Sequence, residues 1–173
     1  MKTENGLYLR LALPGEEQRG MDLLNQGKAY MLEQNLQQWD DSYPALSDVL
    51  GDIETQKGWF LCDGEQTIAY FCATDGEEDV YQVIDGGQWL TQGSKYLTIH
   101  RLAFDAAYRG KGLASAVFSL SEEIAREKNA KSIRVDTHGD NKIMQRVIIR
   151  SGFTYCGVVY YDGSPRVAFE KLL

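Results

Sequence analysis

Residues 96–130, YLTIHRLAFDAAYRGKGLASAVFSLSEEIAREKNA, constrain the fold more than any other stretch. YLTIHRLAF alternates in the strand sense, with Tyr96, Thr98, His100, Leu102 and Phe104 on one face and Leu97, Ile99, Arg101 and Ala103 on the other. Both faces are apolar enough for an interior strand. LASAVFSLSEEIAREKNA sets Leu113, Val117, Leu120 and Ile124 at i, i+4, i+7 and i+11, the stripe of an amphipathic helix with basic residues in its last turn. Between strand and helix lies YRGKGLAS, with two glycines and two cations. Such a turn presents unpaired backbone N–H groups and the positive end of a helix dipole to an anion. Gly110 and Gly112 permit positive φ and a close approach of the backbone, while Arg109 and Lys111 add charge. The stretch predicts a phosphate-bearing ligand.

Spacing narrows that ligand. A dinucleotide fingerprint needs a third glycine where this chain has Ser115, and a phosphate-binding P-loop needs a hydroxyl residue after Lys111, where Gly112 stands. The pattern that fits is Arg/Gln-x-x-Gly-x-Gly/Ala, met by Arg109, Gly112 and Ala114. Here the sequence resembles the GNAT superfamily of acyl-CoA-dependent N-acyltransferases. HRLAF, DAAYRGKGLA, Asn141 and the SGF at 151–153 follow in that family's order, across residues 96–155.

The resemblance implies an α/β (α+β) fold: a mixed, mostly antiparallel sheet of six to seven strands flanked by helices and splayed between two central parallel strands, 96–104 and 132–138. It implies acetyl-CoA as co-substrate, no metal, and transfer of an acetyl group to a primary amine of a small molecule or protein by direct attack on the thioester. The pyrophosphate would rest on Gly110, Lys111, Gly112, Leu113, Ala114 and Ser115 beside Arg109. The pantetheine arm would pair with the backbone of Leu102, Ala103 and Phe104, and Asn141 would touch the cofactor.

The chemistry needs a deprotonated amine, a stabilised oxyanion and a protonated leaving thiolate. His100, sharing a strand face with Leu102 and Phe104, is the expected base, since histidine's ordinary pKa near ~6.5 suits proton transfer. The family's tyrosine acid, seven residues after the asparagine, is replaced by Ile148. Tyr155 or Cys156 would take that role, or the thiolate would be protonated by water. A non-catalytic acyl-CoA-binding sensor and transfer of a longer acyl group are the alternatives. In QQWDDSYP, Trp39, Asp40, Asp41 and Tyr43 form an aromatic and acidic cluster suited to an amine cation.

The rest of the chain sets the frame. Its 173 residues fit a single domain, 1–173. With 25 acidic against 18 basic residues, a broad nucleic-acid surface is not expected. No window reaches the ~20 apolar residues of a membrane span, so a cytoplasmic protein without membrane contact, monomer or homodimer, is expected. The three cysteines have no Cys-x-x-Cys spacing and read as buried hydrophobes. The first third reads as helical: Met21, Leu24, Met31, Leu32 and Leu36 predict two helices broken near Gly27, and Pro44 opens a short third, ALSDVLGDI. GWFLCDGEQTIAYFCAT predicts a hairpin turning at Asp63-Gly64, followed by an excursion over 75–94. SIRVDTH predicts a strand, and DNKIMQRVIIRSG a helix capped by Asp140 or Asn141, with Ile143, Met144, Val147 and Ile148 as its apolar stripe. FTYCGVVYY and RVAFEKLL predict two last strands joined by Asp162-Gly163-Ser164-Pro165.

Overall fold

The computed structural model describes residues 2–3, 5–76 and 78–173. The elements run β1 (Leu7–Leu11), α1 (Glu17–Glu33), α2 (Leu46–Glu54), β2 (Gly58–Asp63), β3 (Gln66–Thr74), β4 (Tyr96–Phe104), α3 (Leu113–Glu127), β5 (Ser132–His138), α4 (Lys142–Arg150), β6 (Thr154–Tyr161) and β7 (Ser164–Leu172). Short 3₁₀ turns occupy Asp79–Tyr81 and Ala106–Tyr108. The sheet order is β1-β2-β3-β4-β5-β7-β6. The β4–β5 pair is parallel and its register covers Tyr96–Thr98 against Ser132–Arg134, after which the ladder ends. This is the mixed, mostly antiparallel sheet with a central parallel pair that the resemblance implies, its seven strands within the expected six to seven.

The chain divides into two compact units, Met1–Ala73 with His100–Leu120, and Thr74–Ile99 with Ser121–Leu173. In the first unit, β1 pairs antiparallel with β2, and β2 with β3. Phe60, Cys62, Tyr70 and Ala103 from the strands meet Leu23 and Leu24 of α1 and Val49 and Ile53 of α2 in one core. Burial of each large apolar side chain contributes about 1.5–3 kcal/mol.

Two expectations are corrected in this unit. LYLRL is a strand, not part of a helical region, and each of its residues is half-buried, so alternation never announces it. The 17-residue helix α1 also runs unbroken through Gly27. That glycine serves packing: a Cβ there would stand 2.9 Å from the Trp39 ring and 3.0 Å from the Ala103 Cβ. The β2–β3 hairpin turns one residue later than expected, over Gly64-Glu65, with Asp63 opposite Gln66.

In the second unit β7 lies between β5 and β6, antiparallel to both. The β6–β7 turn narrows to Asp162-Gly163, because Tyr161 pairs with Ser164. The 75–95 excursion packs Tyr81 and Trp89 against Tyr96, Cys156, Val159 and Ala168. Asp85 exchanges two backbone hydrogen bonds of 2.9 Å with Val158. Glycine is required on both sides of this contact: a Cβ on Gly87 would lie 2.0 Å from the Cys156 carbonyl oxygen, and one on Gly157, at φ 143°, would lie 2.6 Å from that of Asp85. A second anchor is the fully buried Glu170 of β7, which accepts from the amides of Leu90 (2.6 Å) and Thr91 (3.2 Å), the hydroxyls of Thr91 and Ser132, and Nε of Arg134 at 3.1 Å. The α4 stripe is narrower than expected: Ile148 is buried, but Ile143 is exposed.

Candidate active site

The glycine turn joins β4 to α3 and its cations are engaged locally. Gly110 and Gly112 both take φ 73°, and no heavy atom lies within 4 Å of where a Cβ would stand on either, so the turn's outer surface is open. α3 opens directly from it, with no acidic residue in its first turn to oppose an anion. The Ser115 amide reaches the Gly112 carbonyl at 3.2 Å. These features fit a phosphate.

Arg109 donates from Nη2 to the Gln26 carbonyl of α1 and lies over the Tyr30 ring, 4.8 Å from its centroid. Lys111 Nζ sits 4.8 Å from the centroid of Tyr108, whose hydroxyl donates to Gln66 Oε1 at 2.7 Å. The Gln26 side chain accepts from the Ala106 amide at 2.7 Å. Gln26 therefore braces the turn at two points, a role that nothing in its sequence position signals. Although burial pushes it up, the Ala107 amide and the Arg19 guanidinium hold the Asp105 carboxyl below its ordinary value.

β4 delivers the residues that precede the turn. Ala103 is buried and Leu102 and Phe104 are half-buried. Arg101 takes φ 55°, a left-handed conformation rare for a side chain of this kind. The alternation expected to carry His100, Leu102 and Phe104 along one face therefore does not pass through Arg101. That side chain turns to α2, where Nη2 donates to Oδ1 of Asp52, which is 8% exposed in its side chain. The other Asp52 oxygen accepts from the Tyr70 hydroxyl at 2.8 Å, and Arg101 Nη1 donates to the Tyr43 hydroxyl at 3.2 Å. This network ties the loop holding the proposed acceptor residues to the strand carrying His100.

Trp39 is half-buried against the first unit's core. Asp40 spends Oδ1 on its own turn, accepting from the Ser42 amide (2.7 Å), the Ser42 hydroxyl (2.6 Å) and the Tyr43 amide (3.0 Å); these bonds lower its pKa. Asp41 is exposed. His100, Leu102–Phe104, the glycine turn and Trp39–Tyr43 all fall within the first unit.

Asn141, Tyr155 and Cys156 belong to the second. Asn141, not Asp140, caps α4, its Oδ1 accepting from the Met144 amide at 3.1 Å. Ile148 is 1% exposed, so the position where the family carries tyrosine is here part of an apolar core. Tyr155 is half-exposed and stacks edge-on to Phe169 at 5.8 Å. Cys156 is buried, its Sγ 3.4 Å from the Thr154 carbonyl, and burial raises its pKa. His138 accepts from the Asp140 amide at 3.2 Å. A group not foreseen is Asp136 of β5, whose Oδ2 accepts from the hydroxyls of Tyr81 (2.6 Å) and Tyr161 (2.9 Å). All three cysteines are free and buried. Among the described residues, no cluster of three or more His, Cys, Asp or Glu could hold a metal ion, and no helix is long and apolar enough to cross a membrane.

Residues 25–153 match the family model described as Acetyltransferase (GNAT) family. A GNAT-family acetyltransferase from Streptococcus agalactiae 2603 is 32% identical, with a TM-score of 0.88 over 100% of this chain and 99% of its own. One from Listeria monocytogenes 4b F2365 is 18% identical, with a TM-score of 0.77 over 100% and 98%. The aminoglycoside acetyltransferase AAC(6')-Ib, solved with ribostamycin and coenzyme A, shares the fold at 20% identity and a TM-score of 0.70 over 96% and 93%. No curated protein matches the sequence. The strand, the open glycine turn and the helix it feeds are thus parts of a known architecture: the chain belongs to the GNAT acetyltransferase family, acyl-transferring enzymes whose donor is acetyl-CoA.

Proposed function

We propose that this protein N-acetylates a primary amine of a small molecule or protein, the amine attacking the acetyl-CoA thioester directly. The observation that carries the reading is the join of three local structures in one compact unit: the left-handed Arg101 after His100, the strand to Phe104, and the open turn at Gly110 and Gly112. The amides from Gly110 to Ser115 hold the pyrophosphate at the positive end of α3. Bound acetyl-CoA supplies an activated acyl group. Backbone of Leu102, Ala103 and Phe104 aligns it, with amides available to an oxyanion. Asn141 orients the cofactor from the cap of α4.

His100 accepts the proton that the amine loses. Cys156, whose proton burial retains, or Tyr155 returns one to the leaving thiolate. Trp39, Asp40 and Tyr43 receive the acceptor. The protein works in the cytoplasm as a monomer or homodimer, without nucleic acid or membrane. The test is release of coenzyme A thiol from acetyl-CoA against a panel of primary amines. Amine-dependent release is expected, and its absence with every amine would refute the reading.

A second reading, a non-catalytic acyl-CoA sensor, is favoured by one observation: buried Ile148 stands where the family carries a proton-donating tyrosine. Coenzyme A binding without turnover on any amine would select it.

A further inference from the structure

The second unit contains a cavity of about 590 Å³ between the 75–95 excursion and the strands beneath it. Trp89, Tyr81, Tyr96 and Arg134 line it, with Lys95 and Gln88 among the other residues of the wall. The guanidinium of Arg134 is the unusual member. Its side chain is only 6% exposed, and both flat faces are covered, with the Tyr96 ring centroid at 3.8 Å and that of Trp89 at 4.1 Å. Any further partner must therefore approach in the guanidinium plane.

Two of the three in-plane positions are taken. Nε donates to Glu170 at 3.1 Å, and Nη2 donates to the Thr91 carbonyl at 2.7 Å and its hydroxyl at 3.3 Å. Nη1 has no partner among the described residues. Glu170 cannot turn to serve it, because its two oxygens already accept from two amides and two hydroxyls besides Arg134. The guanidinium thus keeps the two N–H donors of Nη1 unspent at a cavity whose wall sets Tyr81, Trp89 and Tyr96 among polar residues. Nη1 is not among the buried side-chain atoms that lack a partner, so its two N–H donors are reachable from the cavity, and a carboxylate is the partner whose geometry suits a guanidinium edge. Lys95 and Asp75 both line the same wall and pair with each other at 3.0 Å, so Arg134 is the cation there without a full set of partners among the described residues.

We propose that this cavity binds a small flat carboxylate, its carboxyl group accepting from Nη1 of Arg134 and its body resting on Trp89 and Tyr81. The carboxylate belongs either to an amine acceptor or to a separate effector, and the experiment distinguishes these sources. Benzoate is titrated into the ¹⁵N-labelled protein, following the indole N–H signals of Trp39, Trp59 and Trp89 and the Arg134 Nε–H, with neutral benzamide as comparison. Saturable shifts confined to Trp89 and Arg134, with benzamide about tenfold or more weaker, are expected. No benzoate shift at millimolar concentration, equal shifts with benzamide, or shifts at Trp39 or Trp59 instead would overturn the proposal.

The double variant Arg134→Gln/Glu170→Gln removes both buried charges together and should fold without binding benzoate; persistence of the Trp89 shift in the folded variant overturns the proposal as well. 4-(Aminomethyl)benzoate separates the sources. Its acetylation, competed by benzoate, assigns the carboxylate to the acceptor, an outcome that also rests on the proposed activity. Binding without acetylation assigns it to an effector, and stands even if that activity fails.

Discussion

Asp52→Ala tests the reasoning most severely. In the folded chain Asp52 is the anion facing Arg101, whose side chain is 14% exposed, and it also receives the Tyr70 hydroxyl. Removing it leaves a guanidinium buried without a counter-charge, with Nε of Arg101 already lacking a partner among the described residues. Breaking such a pair by deleting one member costs about 3–5 kcal/mol, more than the net worth of the pair itself. For a chain of this size that lowers Tm by about 6–20 °C. Thermal and urea unfolding of Asp52→Ala, Arg101→Met and the double variant form a cycle. The double variant should be less destabilised than the sum of the singles by about 1.5–3 kcal/mol, since it leaves no stranded charge. Amide signals of His100–Leu102 should shift in Asp52→Ala, because the Arg101 side chain paired with Asp52 springs from a left-handed backbone position at the centre of that stretch. Simple additivity within about 0.5 kcal/mol would show that the pair is not coupled and would refute the argument.

Gly112→Asp should weaken coenzyme A binding by about a hundredfold or more, since a carboxylate near the phosphate costs several kcal/mol even when screened. Gly112→Ala, strained at φ 73° but uncharged, should lose less, and calorimetric affinities of the two within tenfold of the wild type would unseat the turn as the phosphate site. His100→Ala should lower kcat about 100-fold while the KM for acetyl-CoA stays within about threefold; an unchanged kcat removes it as the base. Glu16 makes two 2.7 Å bonds with Arg10, which lower its pKa. Its folded pKa being depressed, the stabilisation is complete above the unfolded value near ~4.3 and is lost as pH falls through the folded value. Glu16→Gln should thus cost about 0.5–1 kcal/mol in urea unfolding at neutral pH, and the difference should vanish in acid.

What the sequence revealed was what is local in it. The strand at 96–104, the turn at 109–115 and α3 declare themselves through spacing and two glycines, and β5 was legible to its exact ends. The Asp52–Arg101 and Arg134–Glu170 pairs join residues 49 and 36 positions apart, and no periodicity carries such information. Gly27 misled because a helix breaker and a packing glycine look alike until Trp39 is placed against it. The left-handed Arg101 was hidden for a related reason: YLTIHRLAF alternates well enough to suggest a regular strand, and the side chain's partner, Asp52, lies far off in sequence on α2. Ile148 was informative in the opposite direction, its burial agreeing with the loss of a polar role at that position.

The glycine pair at 87 and 157 governs how this protein can change over generations. Because Asp85–Gly87 is pinned on β6, and Leu90 and Thr91 are tied to Glu170, the excursion is not one long segment free to vary. A single inserted residue at 86–88 would break two fixed points at once. Gln92 and Gly93 are exposed and outside both ties. Length variation is channelled to that tip, and because Gln92 and Gly93 line the cavity, descendants of this sequence could reshape that part of its wall first while Trp89 and Arg134 stay in place.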